Sequence, residues 1–359
     1  MLSYWWFTVV SLADDYKTSE LESFDQTDAV FLGLLGTCLQ VGPDKCPLAT
    51  YGNSIDDLVA VWEASLTDIK FNPIPLINGG PAIPVSHLID YDAYLYHIYS
   101  NLHRPLDYIN ISHAIDAVIR RDAPAFIGST SGGGPVIPIT PSSEDGGPNY
   151  PVNDTAPLTR ALFAIRCGDK RSGAATLQDF FPGVGAAEKK SKWFSGFGLG
   201  QNALLCAQWQ FMAQDRYAGG FDGIETAVPV LLVGNTLDPA TSIVSAKNMS
   251  AAFEGSGLLE INGYGVSFYV LEGVRPKVTS LFASLLLHLS LLILTFLSSP
   301  TKHTSLVGGS ESTCASNALR AYLSNATLPA DGSICETNKK LAEIWGTVRQ
   351  LQHTLTIHA

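Results

Sequence analysis

VPVLLVGNTLDPATSIVSAKNMSAAFEGSGLLEINGYG, residues 228–265, is the stretch whose reading decides the fold. VPVLLVG (228–234) is an unbroken apolar run rich in β-branched side chains, the mark of a strand buried on both faces of a parallel sheet. TSIVSAKNMSAAF (241–253) has helical spacing, and GLLEING (257–263) is a second short strand. Together they predict one β–α–β unit, whose loop chemistry sits at the carboxyl ends of the strands. Asp238 lies just past the first strand, in GNTLDP. An Asp before Pro is often only a turn residue. At the end of a core strand it can also orient an imidazole arriving from the next strand, as in a Ser-His-Asp arrangement. The next strand ends in NGYG, where such a histidine is wanted, but the residue that follows is Val266.

Outward from this unit, residues 14–125 read as mostly helical. FDQTDAVFLGLLGTC (24–38) has apolar residues at helical spacing with Asp25 as its N-cap, and SIDDLVAVWEASLTDI (54–69) opens on a Ser/Asp cap signal. DYDAYLYHIYSNLH and ISHAIDAVIRRD continue the pattern, and the stripe of Tyr94, Tyr96 and Tyr99 reads as core or cap surface. Residues 128–152, dense in Gly, Pro and Ser, read as a flexible loop. Their triple glycine is no phosphate cradle, because no Gly-Lys-Ser/Thr follows. Helical patterning resumes at APLTRALFAIRC and ALLCAQWQFMAQ (203–214). The tail ETNKKLAEIWGTVRQLQHTLTIHA reads as a surface helix with apolar Leu341, Ile344, Trp345 and Val348.

Composition narrows the function classes. The chain has 359 residues, 46% hydrophobic and 15% charged, with a net charge of −11, which fits a globular protein with a sizeable core. Lys and Arg form no run or stripe, which argues against nucleic acid as a partner. The six cysteines contain no CxxC pair and no nearby histidine cluster, so no metal site is expected, and no cofactor is implied. An even count favours disulfides in an oxidising compartment. Neighbouring positions suggest Cys38–Cys46, Cys167–Cys206 and Cys314–Cys335, among the many pairings that six cysteines permit. Four N-x-S/T sequons, at Asn110, Asn153, Asn248 and Asn325, point to the same secretory history. The opening MLSYWWFTVVSLADDY has no basic n-region and no small-residue cleavage site, so a secreted protein is expected to have its true beginning elsewhere.

The quoted stretch resembles the carboxy-terminal part of the tripeptidyl-aminopeptidase-like α/β hydrolases, relatives of proline iminopeptidases. That family carries its acid in a GNxxDP-type loop and its histidine in a GYGH-type turn. A segment like CASNALRAYLSNATLPADGSICE (314–336) then closes the domain. ADDYKTSELESFDQTDAVFLGLLGTCLQVGPDKCPLA (13–49) resembles the start of the family's helical cap, and RCGD, CAQW and RYAGGF resemble later parts of it. The resemblance implies an α/β-hydrolase fold that is incomplete here: a largely helical cap region at 1–225 and a carboxy-terminal β–α–β remnant at 226–359. Half a sheet of this kind should leave an edge and an apolar face to be covered.

The chain departs from the family pattern twice. No G-x-S-x-G nucleophile elbow occurs; GNSID (52–56) lacks the second glycine and GSTSG (128–132) centres on Thr130. The elbow would precede the cap, and so would lie before Met1. The second departure is an insert, 266–302. From Val278 to Thr301 it has no acidic or basic side chain apart from His288, long enough to cross a bilayer at ~20 residues per span. It reads as a membrane helix, as a buried core helix, or, our preferred hypothesis, as a translated intron. Val-Ser can be encoded by a donor-like GTNAGN, and Lys can end in an acceptor-like AG. Deleting Val266–Lys302 joins GYG to His303 without a frame break and places His303 in the family's catalytic position.

The resemblance therefore implies a secreted serine peptidase releasing short peptides from free amino termini, with Asp238 orienting His303 and a peptide as substrate. Without the nucleophile, little hydrolysis is expected from this polypeptide. The alternatives are a membrane-anchored, non-catalytic pseudohydrolase that binds peptides, which needs the 278–300 run to be a real single-pass helix, and a related esterase.

Overall fold

The computed structural model describes residues 21–76, 87–129, 164–165, 167–169, 176–198, 204–207, 209–211, 213–215, 219–266 and 311–345. A 3-10 turn at Leu21–Phe24 leads into α1 (Thr27–Val41) and then α2 (Ile55–Phe71). β1 (Ile74–Leu76) and β2 (His87–Ile89) form an antiparallel pair, followed by α3 (Tyr91–Leu102), α4 (Tyr108–Ile119) and α5 (Ala123–Ser129). After α6 (Leu177–Glu188) come two single turns, α7 (Ser195–Gly198) and α8 (Leu204–Ala207). The quoted stretch supplies β3 (Leu231–Leu237), α9 (Ile243–Ala252) and β4 (Gly257–Tyr264), and α10 (Thr313–Asn325) and β5 (Ile334–Glu336) follow.

Local chemistry sets these boundaries. The Ser54 hydroxyl accepts the Asp57 N–H while the Asp57 carboxylate takes the Ser54 N–H, a reciprocal capping box that starts α2. Thr176 and Asp179 do the same for α6. Asp90 and Ser312 cap α3 and α10 with single side-chain bonds. The expected cap at Asp25 is not made: Gln26 occupies that position, without a side-chain bond, and the Asp25 carboxylate instead takes Lys190 Nζ from the end of α6. Among the described residues of 203–214, helix is found only at Leu204–Ala207. The Trp209 N–H turns back to the Cys206 carbonyl, and Trp209–Phe211 is irregular.

The helices share one core. Phe31, Trp62, Tyr94, Phe126 and Phe194 are each at most 1% exposed, with Phe31–Trp62 and Trp62–Tyr94 ring centroids 4.9 and 5.3 Å apart. Each such burial stabilises by roughly 1.5–3 kcal/mol, and the contacting rings add about 0.5–1.5 kcal/mol a pair. Tyr94 of the aromatic stripe is thus core. Leu341 and Trp345 reach the same core from the other end of the chain, and the Trp345 indole N–H donates to the Lys45 carbonyl.

β3, β4 and β5 form a parallel sheet in that order, with Val233 opposite Leu259 and Ile261 opposite Cys335. The β–α–β unit is present; β5 was not anticipated, being only three residues long with the exposed–buried–exposed pattern of a sheet margin. Among the described residues, β3 shows no bare apolar face. Leu231 and Val233 pack with Ala315 and Leu319 of α10, while at Gly234 any Cβ would run into Ile243 and Ala246 of α9. Helices therefore cover β3 on both faces. Three disulfides join Cys38 to Cys46, Cys167 to Cys206 and Cys314 to Cys335, and the last ties α10 to β5.

Candidate active site

The loop after β3 is built around Asp238, whose side chain is fully buried. Its Oδ1 accepts the N–H groups of Ala240 and Thr241 at 2.9 and 2.7 Å, and its Oδ2 accepts the Thr241 hydroxyl at 2.7 Å. The two backbone donors fix the carboxylate plane. Pro239 extends the same turn, and its carbonyl accepts the Thr27 hydroxyl at 2.8 Å, which docks the start of α1 on the loop.

The Gly-Tyr-Gly turn after β4 is fastened to this loop. The Gly265 N–H donates to the Leu237 carbonyl at 2.9 Å, and the Asn235 amide donates to the Gly265 carbonyl at 2.6 Å. Gly265 has φ +87°, a conformation that favours glycine. The two strand ends predicted to carry an acid and a base therefore meet, and the chain leaves β4 one residue beyond a bond to the acid's neighbour. Val266 continues from there, its N–H bonded to the His103 carbonyl at 2.9 Å.

The roof over this meeting point comes from residues 103–108, which the sequence reading did not single out. Pro105 and the His103 carbonyl close directly on Gly265. His103 is set by a bond from its ring to the Ser100 carbonyl at 3.0 Å and by an edge-on contact with Tyr99. Burial holds its pKa below the ordinary histidine value, only partly offset by that bond. Tyr108 is fully buried and donates to the Leu102 carbonyl. Its hydroxyl pKa is pushed well up, first by burial and then by the nearby Tyr264 and Asp238. The only local signal was HRPLDY, where Pro105 starts a 3-10 turn leading into α4. A cleft of about 250 Å³ opens beside the turn, lined by Pro105, Gly263, Tyr264, Glu336, Lys340 and Leu341 among others.

Of the other expected site residues, His303 lies outside the described residues, as do Asn153 and the 278–300 run. Asn110 is on α4, Asn248 on α9 and Asn325 at the end of α10. Among the described residues no group of His, Cys, Asp and Glu is placed to hold a metal ion, and no helix is long and apolar enough to cross a membrane. Three disulfides fit an extracellular protein.

No curated protein sequence matches the chain. Residues 193–287 match the α/β-hydrolase family model described as TAP-like protein. The match spans β3, the Asp238 loop, α9, β4 and the Gly265 turn, the elements just described. The segment that bears Asp238 is the carboxy-terminal portion of a tripeptidyl-aminopeptidase-like α/β hydrolase.

Proposed function

We propose that this chain supplies the acid and base of a secreted serine hydrolase of the tripeptidyl aminopeptidase type, acting on peptides with free amino termini. The observation that carries this reading is the pair of hydrogen bonds joining the Asp238 loop to the Gly265 turn. In this reading His303 stands where the chain leaves that turn. Asp238 Oδ2 accepts its Nδ1–H, holding the ring in the tautomer whose Nε2 takes a proton from a nucleophile and returns it to the leaving amine. Burial of Asp238 favours the pair, because a carboxylate out of water orients an imidazolium strongly. The helical region at 1–225 forms the cap over the site, and 226–359 the hydrolase segment.

The 359 residues contain no G-x-S-x-G elbow, so hydrolysis needs a serine they do not provide. The chain alone is expected to leave a tripeptidyl chromogenic substrate intact. Turnover that disappears on His303→Ala would overturn that expectation. The acid–base pair is tested separately, by proton NMR on a variant lacking 266–302. A strongly deshielded imidazole proton is expected, and Asp238→Asn should abolish it. A spectrum without that proton would remove the pairing.

The uncharged run at 278–300 favours a second reading, a membrane-anchored protein that binds peptides without cleaving them. It requires the full-length protein to stay with membranes through carbonate extraction. Transcript reads joining the Gly265 codon to the His303 codon would instead make the run an intron. An esterase of the same family is separated from a peptidase by assaying both substrate types once a nucleophile is supplied.

A further inference from the structure

The structure discriminates sharply among the sequons it describes. Asn110 sits inside α4; the following Ile111 and Ser112 are fully buried, and the Ser112 hydroxyl is turned inward to the Ile109 carbonyl at 2.7 Å. Asn248 sits inside α9, its amide nitrogen donating to Glu22 at 2.7 Å, and the Ser250 hydroxyl is engaged with Ser256 at 2.9 Å. In both, the hydroxyl that must face the asparagine points elsewhere. A helical backbone also keeps residues i and i+2 on different sides.

Asn325 differs in each respect. It is the last residue of α10 and exposed, as is Thr327. Between them Ala326 adopts a left-handed conformation, φ 57°, which ends the helix and folds the chain back. The Thr327 N–H and hydroxyl then both donate to Asn325 Oδ1, at 3.3 and 2.7 Å. Among the described residues nothing bonds Asn325 Nδ2, which is left facing solvent. The Thr327 hydroxyl draws electron density toward Oδ1 and makes the amide N–H more acidic.

We propose that, of the three sequons among the described residues, Asn325 is the one that accepts an N-linked oligosaccharide. The donor would be an oligosaccharide on a lipid diphosphate. Nδ2 attacks the anomeric carbon, an N–C bond forms, and the C–O bond to the diphosphate breaks. The lipid diphosphate departs, and the amide proton passes to the base of the transferase. The position is compatible with catalysis elsewhere. Tyr322 donates to the Pro229 carbonyl at 2.8 Å, and Leu328 lies against Gly257, so the sequon sits at the amino ends of β3 and β4. β3 runs seven residues before Asp238, which puts the glycan roughly 20 Å from the site at about 3.3 Å per residue.

The test is translation of the full chain, behind a cleavable secretion leader, into microsomes. Asn325→Gln and Thr327→Ala should each remove one mobility step that is sensitive to peptide N-glycosidase, whereas Thr327→Ser should keep it. Mass spectrometry of the unsubstituted chain should find occupancy at Asn325 several-fold above that at Asn110 and Asn248. Because Thr327→Ser changes the fold least, its retention separates loss of the acceptor from misfolding. A chain with no glycan, or one modified at Asn110 or Asn248 in preference to Asn325, would overturn the proposal.

Discussion

Replacing Asp238 with alanine removes a fully buried acceptor of two backbone N–H groups and one hydroxyl, all in a partly buried loop. Stranding partly buried donors that had bonded a carboxylate costs about 1–3 kcal/mol, which urea unfolding would register as a lower midpoint at unchanged slope. Asp238→Asn keeps one oxygen and should lose less. His97 makes a pH-dependent contribution. It is 3% exposed, rests against Phe126, and bonds Asn101 through Nδ1. Burial lowers its pKa to about 4. Below its unfolded value of about 6.5 the unfolded chain takes up a proton that the folded chain refuses. Stability should therefore fall as pH drops from above 6.5 toward 4, by on the order of 3 kcal/mol in all. His97→Phe should flatten that part of the profile, measured as unfolding midpoint against pH.

At the level of elements, Gly265 is where residues 103–108 meet the end of β4. An added Cβ would stand 2.6 Å from Pro105 Cδ and 2.7 Å from the His103 carbonyl oxygen, on a backbone with φ +87°. Gly265→Ala should cost about 2–4 kcal/mol from crowding and strain together, and should speed exchange of the Val266 amide. Ser54→Ala, by contrast, breaks one exposed capping box and should cost about 1 kcal/mol. The contrast explains what could be read in advance. β3, α9 and β4 were legible because their apolar runs and spacing are local and strong. So was Ser54, whose partner is three residues away. The roof at 103–108 was not, since nothing in HRPLDY encodes a contact with Gly265, more than 150 residues on. β5 failed for a similar reason: three residues carry no period, and only pairing with β4 makes them a strand. Asp25 misled because its carboxylate satisfies a distant lysine instead of its own helix.

Across the whole molecule, the disulfides close loops of different length, 8, 21 and 39 residues. Loop entropy ranks their contributions in that order, each about 2–4 kcal/mol. Pairwise serine replacement followed by thermal melts should show the largest drop for Cys167–Cys206 and the smallest for Cys38–Cys46. The family relationship was legible because GNTLDP and GYG lie within one continuous stretch. His303 was reached only by excising 37 residues, a step guided by the GYGH-type turn and the codons at the two junctions, since apolar periodicity carries no sign of it. The contact of Trp345 with Lys45 spans 300 positions. A ribosome adding about 5–20 residues per second needs roughly 15–60 s to make that much polypeptide. Throughout that interval the first helices wait on the nascent chain with the seat of Leu341 and Trp345 open. A chaperone that shields apolar surface during synthesis should bind this emerging chain and let go only after its last turn has been made.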